Sequence, residues 1–304
     1  MEMSSSQPYR IVKNSDFSDL KSLPADTGGK HLANSLGATD APYGYYIYLP
    51  AGYEQTAGDY PLLIFLHGDG ERGNSSKDAQ ERIARLLSWL LPRWYSRVPA
   101  IREKPMKRIF SVKNWPIFRS ALDLVLIHGP PHLIHNGRWT PPYPMIVASP
   151  QSHDADWQPE KIDAFIRYIM KNYPANQSRI YLTGLSMGAD GIYLYLTETG
   201  NRSLIAAAVT ICGEGDAAEA KKAEVPIWIF HGEADDVVPL QKAIEMKGGF
   251  SNVPEVKLTM YPNAGHDVWD QTYDLSGMGK ESKEYDPYNI SIYDWLFNFS
   301  LSEE

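Results

Sequence analysis

Five residues, Gly184-Leu185-Ser186-Met187-Gly188, constrain this chain more than any others because of what stands on either side of them. The run Arg179-Ile180-Tyr181-Leu182-Thr183 before them is strand-like, and Ala189 to Leu196 after them reads as helix. A strand that turns sharply into a helix at a serine is a nucleophile elbow. A serine hydroxyl reacts only when a base takes its proton, so it must be lifted clear of the sheet to where an imidazole can reach it. At such a turn the serine backbone is strained and neighbouring chain passes close by, so a Cβ at Gly184 or Gly188 is expected to collide. The pattern alone arises by chance about once in ten chains of this length. Its place between strand and helix makes it specific.

Strand-length apolar runs recur with helical stretches between them, the alternation of an α/β fold with a mostly parallel central sheet flanked by helices. Strands are expected near Tyr45 to Leu49, Leu62 to Leu66, Met145 to Ala148, Arg179 to Thr183, Ala206 to Ile211, Pro226 to Phe230 and Val256 to Tyr261. Helices are expected over Pro159 to Asn172, Ala189 to Thr197, Pro239 to Met246 and Ile290 to Phe299. The pairs Pro130-Pro131 and Pro141-Pro142 read as loop punctuation. Residues 1–304 fit one large domain, since α/β folds run to this length as single units.

The charge is unevenly spread. The chain carries −8 in all, which disfavours nucleic acid as a partner. Lys77 to Arg119 holds eleven basic and three acidic residues, a local +8 against −16 elsewhere. Within it, Ile83, Leu86, Leu87, Leu90 and Leu91 form one helical stripe that Pro92 ends. The stretch 76–120 therefore reads as an inserted helical cap, either packed statically on the body or acting as a mobile lid or as a surface that meets lipid, polymer or a second subunit.

An elbow serine needs an imidazole base and an acid that orients it. Pro226 to Phe230 runs into His231-Gly232-Glu233-Ala234-Asp235-Asp236, and Val256 to Tyr261 runs into Asn263-Ala264-Gly265-His266-Asp267. The order Ser186, Asp235, His266 is the one an α/β-hydrolase requires. One of the adjacent aspartates is expected to cap the helix that starts near Pro239. Asp236 lies nearer that start, which leaves Asp235 for the imidazole. Donors for an oxyanion are expected from the Met187 backbone N–H and from the glycine-rich turn His67-Gly68-Asp69-Gly70-Glu71-Arg72-Gly73. Asp69 N–H is favoured there, with Gly70 the alternative.

Leu66 to Gly73, Ser149-Pro150-Gln151, Thr183 to Gly188, His231 to Pro239 and Gly265-His266-Asp267-Val268-Trp269 together resemble the esterase branch of the α/β-hydrolases. That branch holds phospholipase/carboxylesterase-like enzymes, feruloyl and acetyl xylan esterases and polyhydroxybutyrate depolymerase-like proteins. The resemblance covers about Tyr45 to Phe299. It implies a cofactor-independent serine esterase acting through an acyl-enzyme on small-molecule or carbohydrate-linked acyl, acetyl or feruloyl esters. The chain departs from the family where Gly188-Ala189-Asp190-Gly191 replaces the usual Gly-Gly and aromatic, and where Ser76 to about Ser120 intervenes. Two other readings stay open: a serine peptidase of prolyl-oligopeptidase type, which shares fold and triad, and a non-catalytic binding module.

Trp157, Trp269 and Tyr273 are candidate lining for an aromatic-accepting pocket, against the alternative of core packing. His128, His132 and His135 have spacings of four and three, but the intervening prolines argue against a helical metal site, and no metal is expected. Cys212 is the only cysteine, which rules out an internal disulfide. No apolar run approaches the roughly 18 residues a spanning helix needs. The polar start Met1 to Gln7 lacks the basic-then-apolar order of a secretion signal, the mark of a cytoplasmic protein or of a secreted or periplasmic one whose leader has been removed.

Overall fold

A computed structural model describes residues 9–14, 17–55, 59–75 and 120–303 of the chain. The expected cap over 76–120 lies outside the described residues except at Ser120. The strands are β1 (Tyr9–Lys13), β2 (Lys30–Asn34), β3 (Gly44–Leu49), β4 (Tyr60–Leu66), β5 (Ile146–Gln151), β6 (Ala175–Leu185), β7 (Ala207–Ile211), β8 (Ile227–Gly232), β9 (Val256–Tyr261) and β10 (Phe299–Glu303). The helices are α1 (Ser18–Lys21), α2 (Gly129–His135), α3 (Pro159–Asn172), α4 (Met187–Thr199), α5 (Leu240–Gly249), α6 (Trp269–Tyr273) and α7 (Ile292–Phe297).

The eight strands β2 to β9 form one sheet in the order β2-β3-β5-β4-β6-β7-β8-β9. β2, β3 and β5 pair antiparallel, and every pair from β5 through β4 to β9 is parallel. All seven residues of β4 are buried, because a central parallel strand is covered on both faces. Its alternate side chains serve two cores: Leu62, Ile64 and Leu66 pack with α3, α4 and α5, whereas Leu63 and Phe65 face α2, α6 and α7. The mostly parallel sheet with helices on both sides is the expected architecture. All seven expected strands are present, and their C-terminal ends bring the serine, aspartate and histidine loops to one edge of the sheet, where open α/β sheets place their sites.

Three strands lie outside the expected set, and the last helix and one proline pair depart from expectation. β2 is polar and largely exposed, so no hydrophobic alternation marks it. β1 and β10 pair with each other in a separate two-stranded ribbon. The last helix is shorter than Ile290 to Phe299: Ser291 Oγ accepts the Asp294 N–H at 3.0 Å, which starts it, and Phe299 already belongs to β10. Pro130-Pro131 opens α2 and is not loop punctuation, since proline in the first turn gives up only an amide that the helix leaves unbonded.

At the end of β5, the side chain of Gln151 ties the flanks of the stretch 76–119 together. Its Oε1 accepts the Ser75 N–H at 3.0 Å, and its Nε2 donates to the carbonyls of Glu71 and Ala121.

Candidate active site

Ser186 sits between β6 and α4 with φ 49° and ψ −125°, a left-handed conformation that costs a non-glycine residue energy and is held by its surroundings. Its N–H donates to Ile211 O of β7 at 2.8 Å, and its carbonyl accepts the amides of Ala189 and Asp190. The flanking glycines are steric necessities. A Cβ on Gly184 would lie 2.8 Å from the Gly188 carbonyl carbon, and one on Gly188 would lie 2.1 Å from Leu66 O. β4, β6 and α4 therefore meet backbone to backbone.

His266, in the loop after β9, places Nε2 3.0 Å from Ser186 Oγ and Nδ1 2.8 Å from Asp235 Oδ2. The imidazole is 5% exposed, with the edge of Trp269 at 5.4 Å between ring centroids. The Asp235 side chain is fully buried. Its Oδ1 accepts the amides of Val237 and Val238, both at 2.9 Å. Burial pushes its carboxyl up, yet hydrogen bonds from His231, His266 and those two amides outweigh burial and hold it well below the usual carboxylate range. The N-cap of α5 is Pro239, and Asp235 gives its Oδ1 to the turn that precedes it. The expected cap at Asp236 is thus replaced by a turn that Asp235 closes with its own carboxylate.

The turn after β4 lies against the serine. A Cβ on Gly68 would stand 3.5 Å from Ser186 Cβ, and Asp69–Glu71 follows as a 3-10 turn. Asp69 opens that turn, with its carboxylate 2.8 Å from Arg72, and Gly70 is its middle residue. Met187 is the first residue of α4, so the helix offers its amide no acceptor. The fully buried His67 braces the turn: Nδ1–H donates to Gly68 O at 2.6 Å, and Nε2 accepts the Ser152 amide at 3.0 Å. Burial pushes the His67 imidazole down to about 4, so it stays neutral.

The three aromatic candidates part company. Trp157 and Tyr273 are 1% exposed and pack into the two cores. Trp157 Nε1 donates to His67 O at 3.1 Å, and its Cβ lies where a Cβ on Gly191 would have to go. The Tyr273 hydroxyl is 2.9 Å from Thr183 Oγ1. Trp269, also buried at 8% exposure, packs between His266 and His128, with Nε1 donating to His128 Nδ1 at 3.0 Å.

Among the described residues, one trio could offer donors to a metal ion: Cys212, Asp235 and His266, with ligand atoms within 4.8 Å of one another. Two of the three are already joined in the hydrogen-bonded chain to Ser186, and burial pushes the Cys212 thiol well up, keeping it protonated. His128, His132 and His135 form no such group among the described residues. Two residues beside the site lie within the motifs that carry the resemblance, yet sequence reasoning assigns them no role: Gln151, and the buried His231, whose Nε2 lies 3.2 Å from Asp235 Oδ2. The buried strand end preceding Asp235 was the available hint for His231.

A hydroxyl bonded to an imidazole, itself bonded to a buried carboxylate, is the arrangement that makes serine nucleophilic. The mostly parallel sheet, with this site at the C-terminal ends of its strands, is the α/β-hydrolase fold. Residues 151–287, which contain Ser186, Asp235 and His266, match the dienelactone hydrolase family. A crystal structure of a thermostable esterase superposes with a TM-score of 0.54 at 22% identity, covering 90% of this chain and 64% of that one. The chain thus spans less than two thirds of that esterase, and the likeness speaks for the fold. A structure of a protein named FAE aligns at TM-score 0.46 and 14% identity over 88% of this chain and 90% of that one, too loosely to carry weight. No curated protein matches. No helix among the described residues is long and apolar enough to cross a membrane.

Proposed function

We propose that the protein is a serine carboxylic-ester hydrolase in which Ser186 is the nucleophile, His266 the base and Asp235 the orienting acid. The hydrogen-bonded chain from Ser186 Oγ to His266 at 3.0 Å and on to Asp235 at 2.8 Å carries this reading. With Nδ1–H given to the carboxylate, Nε2 presents a lone pair to the hydroxyl and takes its proton as Oγ attacks the ester carbonyl. The carbonyl oxygen becomes an oxyanion facing the amides of Met187 and Asp69, with Gly70 the alternative donor. Each donor is worth roughly 3 to 4 kcal/mol in such sites. His266 then returns the proton to the leaving alcohol, and water, activated by the same imidazole, releases the acid from the acyl-enzyme.

The substrates proposed are acyl, acetyl or feruloyl esters, free or attached to carbohydrate. Labelling with a fluorophosphonate and turnover of a p-nitrophenyl ester panel, set against amino-acyl nitroanilides, test the reading. One equivalent of label on Ser186 and preference for esters are expected. Ser186→Ala should abolish labelling and lower kcat by about 10⁶ while the fold persists. A preference for the amides, or labelling retained in the variant, would reject the assignment.

A further inference from the structure

We propose that His231 is a positioning residue of this site: its imidazole N–H, shared between the Val238 carbonyl and the Asp235 oxygen that faces His266, fixes that carboxylate and limits its pull on His266. The proposal rests on the esterase reading of Ser186, His266 and Asp235. It extends that reading to a side chain that reaches neither the hydroxyl nor a substrate.

The argument begins with the tautomer. His231, near the end of β8, is 0% exposed, and its Nε2 stands 2.9 Å from Val238 O and 3.2 Å from Asp235 Oδ2. A carbonyl and a carboxylate only accept, so the nitrogen between them carries the proton. A neutral imidazole has one such proton, which leaves Nδ1 bare. That atom is buried and has no hydrogen-bond partner among the described residues. An orphaned ring nitrogen in the interior is a cost that an apolar side chain of similar shape avoids. Its presence is explained only if the N–H on the other side of the ring does something an apolar side chain could not.

What the N–H does is visible in the turn 235–238. The Val237 and Val238 amides point at Asp235 Oδ1, whereas the Val238 carbonyl points back at His231. Strand β8 therefore holds the turn from one side and the carboxylate holds it from the other. Val238 O is the nearer acceptor and takes the main bond, and Asp235 Oδ2 receives the same N–H off its axis. That oxygen also accepts the His266 Nδ1–H at 2.8 Å. Two ring protons on one carboxylate oxygen each find a weaker acceptor than either would alone.

The groups around this oxygen come from three elements. Cys212 stands at the end of β7, His231 on β8 and His266 on the loop after β9. His128, beyond the Trp269 ring, faces Glu71 and Asp270, each at 3.7 Å. Burial and the nearby carboxylate keep the Cys212 thiol protonated, and that thiol and the Val237 and Val238 amides donate to Asp235 alongside His231; among these donors His231 alone ties the carboxylate to strand β8 and the Val238 carbonyl.

His231→Leu removes the N–H while keeping an apolar filling. The rate of fluorophosphonate labelling of Ser186, followed from pH 5 to 9, should then show its acid limb displaced upward by about half a pH unit or more, because the freed carboxylate favours the charged imidazole of His266 more strongly. His231→Gln, whose amide can present an N–H near the Nε2 position, should return the limb to its wild-type place. In the wild-type protein, nitrogen NMR at pH 8 should find His231 protonated on Nε2 and bare on Nδ1. An unmoved limb in a folded His231→Leu protein, or a proton on His231 Nδ1, overturns the proposal. Should the leucine variant not fold, the wild-type tautomer and the limb of the glutamine variant decide. Failure of the wild type to label at all would instead count against the Ser186 assignment, so the two failures are distinct.

Discussion

Replacing Asp235 by asparagine reverses one set of hydrogen-bond directions at the centre of the site and leaves shape almost untouched. The carboxylate only accepts: two amides on Oδ1, on Oδ2 the Nδ1–H of His266 with the His231 N–H off-axis, and the Cys212 thiol beside them. An amide keeps one acceptor. If the asparagine oxygen stays on the Val237 and Val238 amides, its NH₂ faces two ring nitrogens that both carry protons. Each donor left facing that group costs about 1 to 3 kcal/mol. His266 can escape by moving its proton to Nε2, which makes Nδ1 an acceptor and removes one clash. About 1 to 3 kcal/mol of destabilisation then remains, from His231. The escape ruins the chemistry, because Nε2–H now faces Ser186 Oγ at 3.0 Å as a donor and cannot take its proton. The same wrong tautomer in the Ser-His-Asp template lowers kcat by about 10⁴, or about 5.4 kcal/mol of barrier. The assay is kcat on p-nitrophenyl acetate at pH 8 beside a urea unfolding curve. A folded Asp235→Asn protein that loses less than about tenfold in kcat, under 1.4 kcal/mol, would refute the relay.

Gly188→Ala should destabilise the fold by about 3 kcal/mol, the upper end of overpacking costs, because the new Cβ meets only backbone: Leu66 O at 2.1 Å, Leu66 C at 2.6 Å and His67 O at 2.7 Å. A urea midpoint near wild type would contradict that close approach. Burial pushes the Asp190 carboxyl up to about 7, so the folded chain holds this proton more tightly than the unfolded one, and stability declines as pH rises from about 4 through about 7. Asp190→Asn, which keeps an oxygen for the Glu214 amide, should therefore raise Tm by about 2 to 4 °C at pH 8 and leave it unchanged at pH 4. An equal gain at both would show that the burial of charge is not the cause.

The parts of the molecule that the sequence announces are those where one chemical demand fixes one residue type. Gly184, Ser186 and Gly188 are legible because a strand-to-helix turn tolerates little else there, and β3 to β9 because buried strands are continuous apolar runs. β2 escapes notice because it lies at the sheet edge with polar side chains on both faces. β10 hides because it follows α7 after Asn298 alone, with Phe297 and Phe299 continuing one apolar pattern across the boundary. Position at a strand end could not tell that Trp157, Trp269 and Tyr273 are all buried, with only Trp269 of the three in ring contact with His266. The roles of Asp235 and His231 depend on which oxygen meets which nitrogen, and spacing along the chain carries no such information. Adjacent aspartates made a helix cap look natural, but the nearest free amides belonged to the turn itself.

The Gln151 clasp has a consequence for how this protein can diversify. Departure and return of the stretch 76–119 are fastened to one side chain on the sheet, so they make a socket whose two terminals stay put whatever is plugged in. The Gly68 turn, bonded to the same side chain through Glu71 O, is insulated from the exchange. A change of length between residues 76 and 119 can thus leave Gln151 and the turn beside Ser186 where they are.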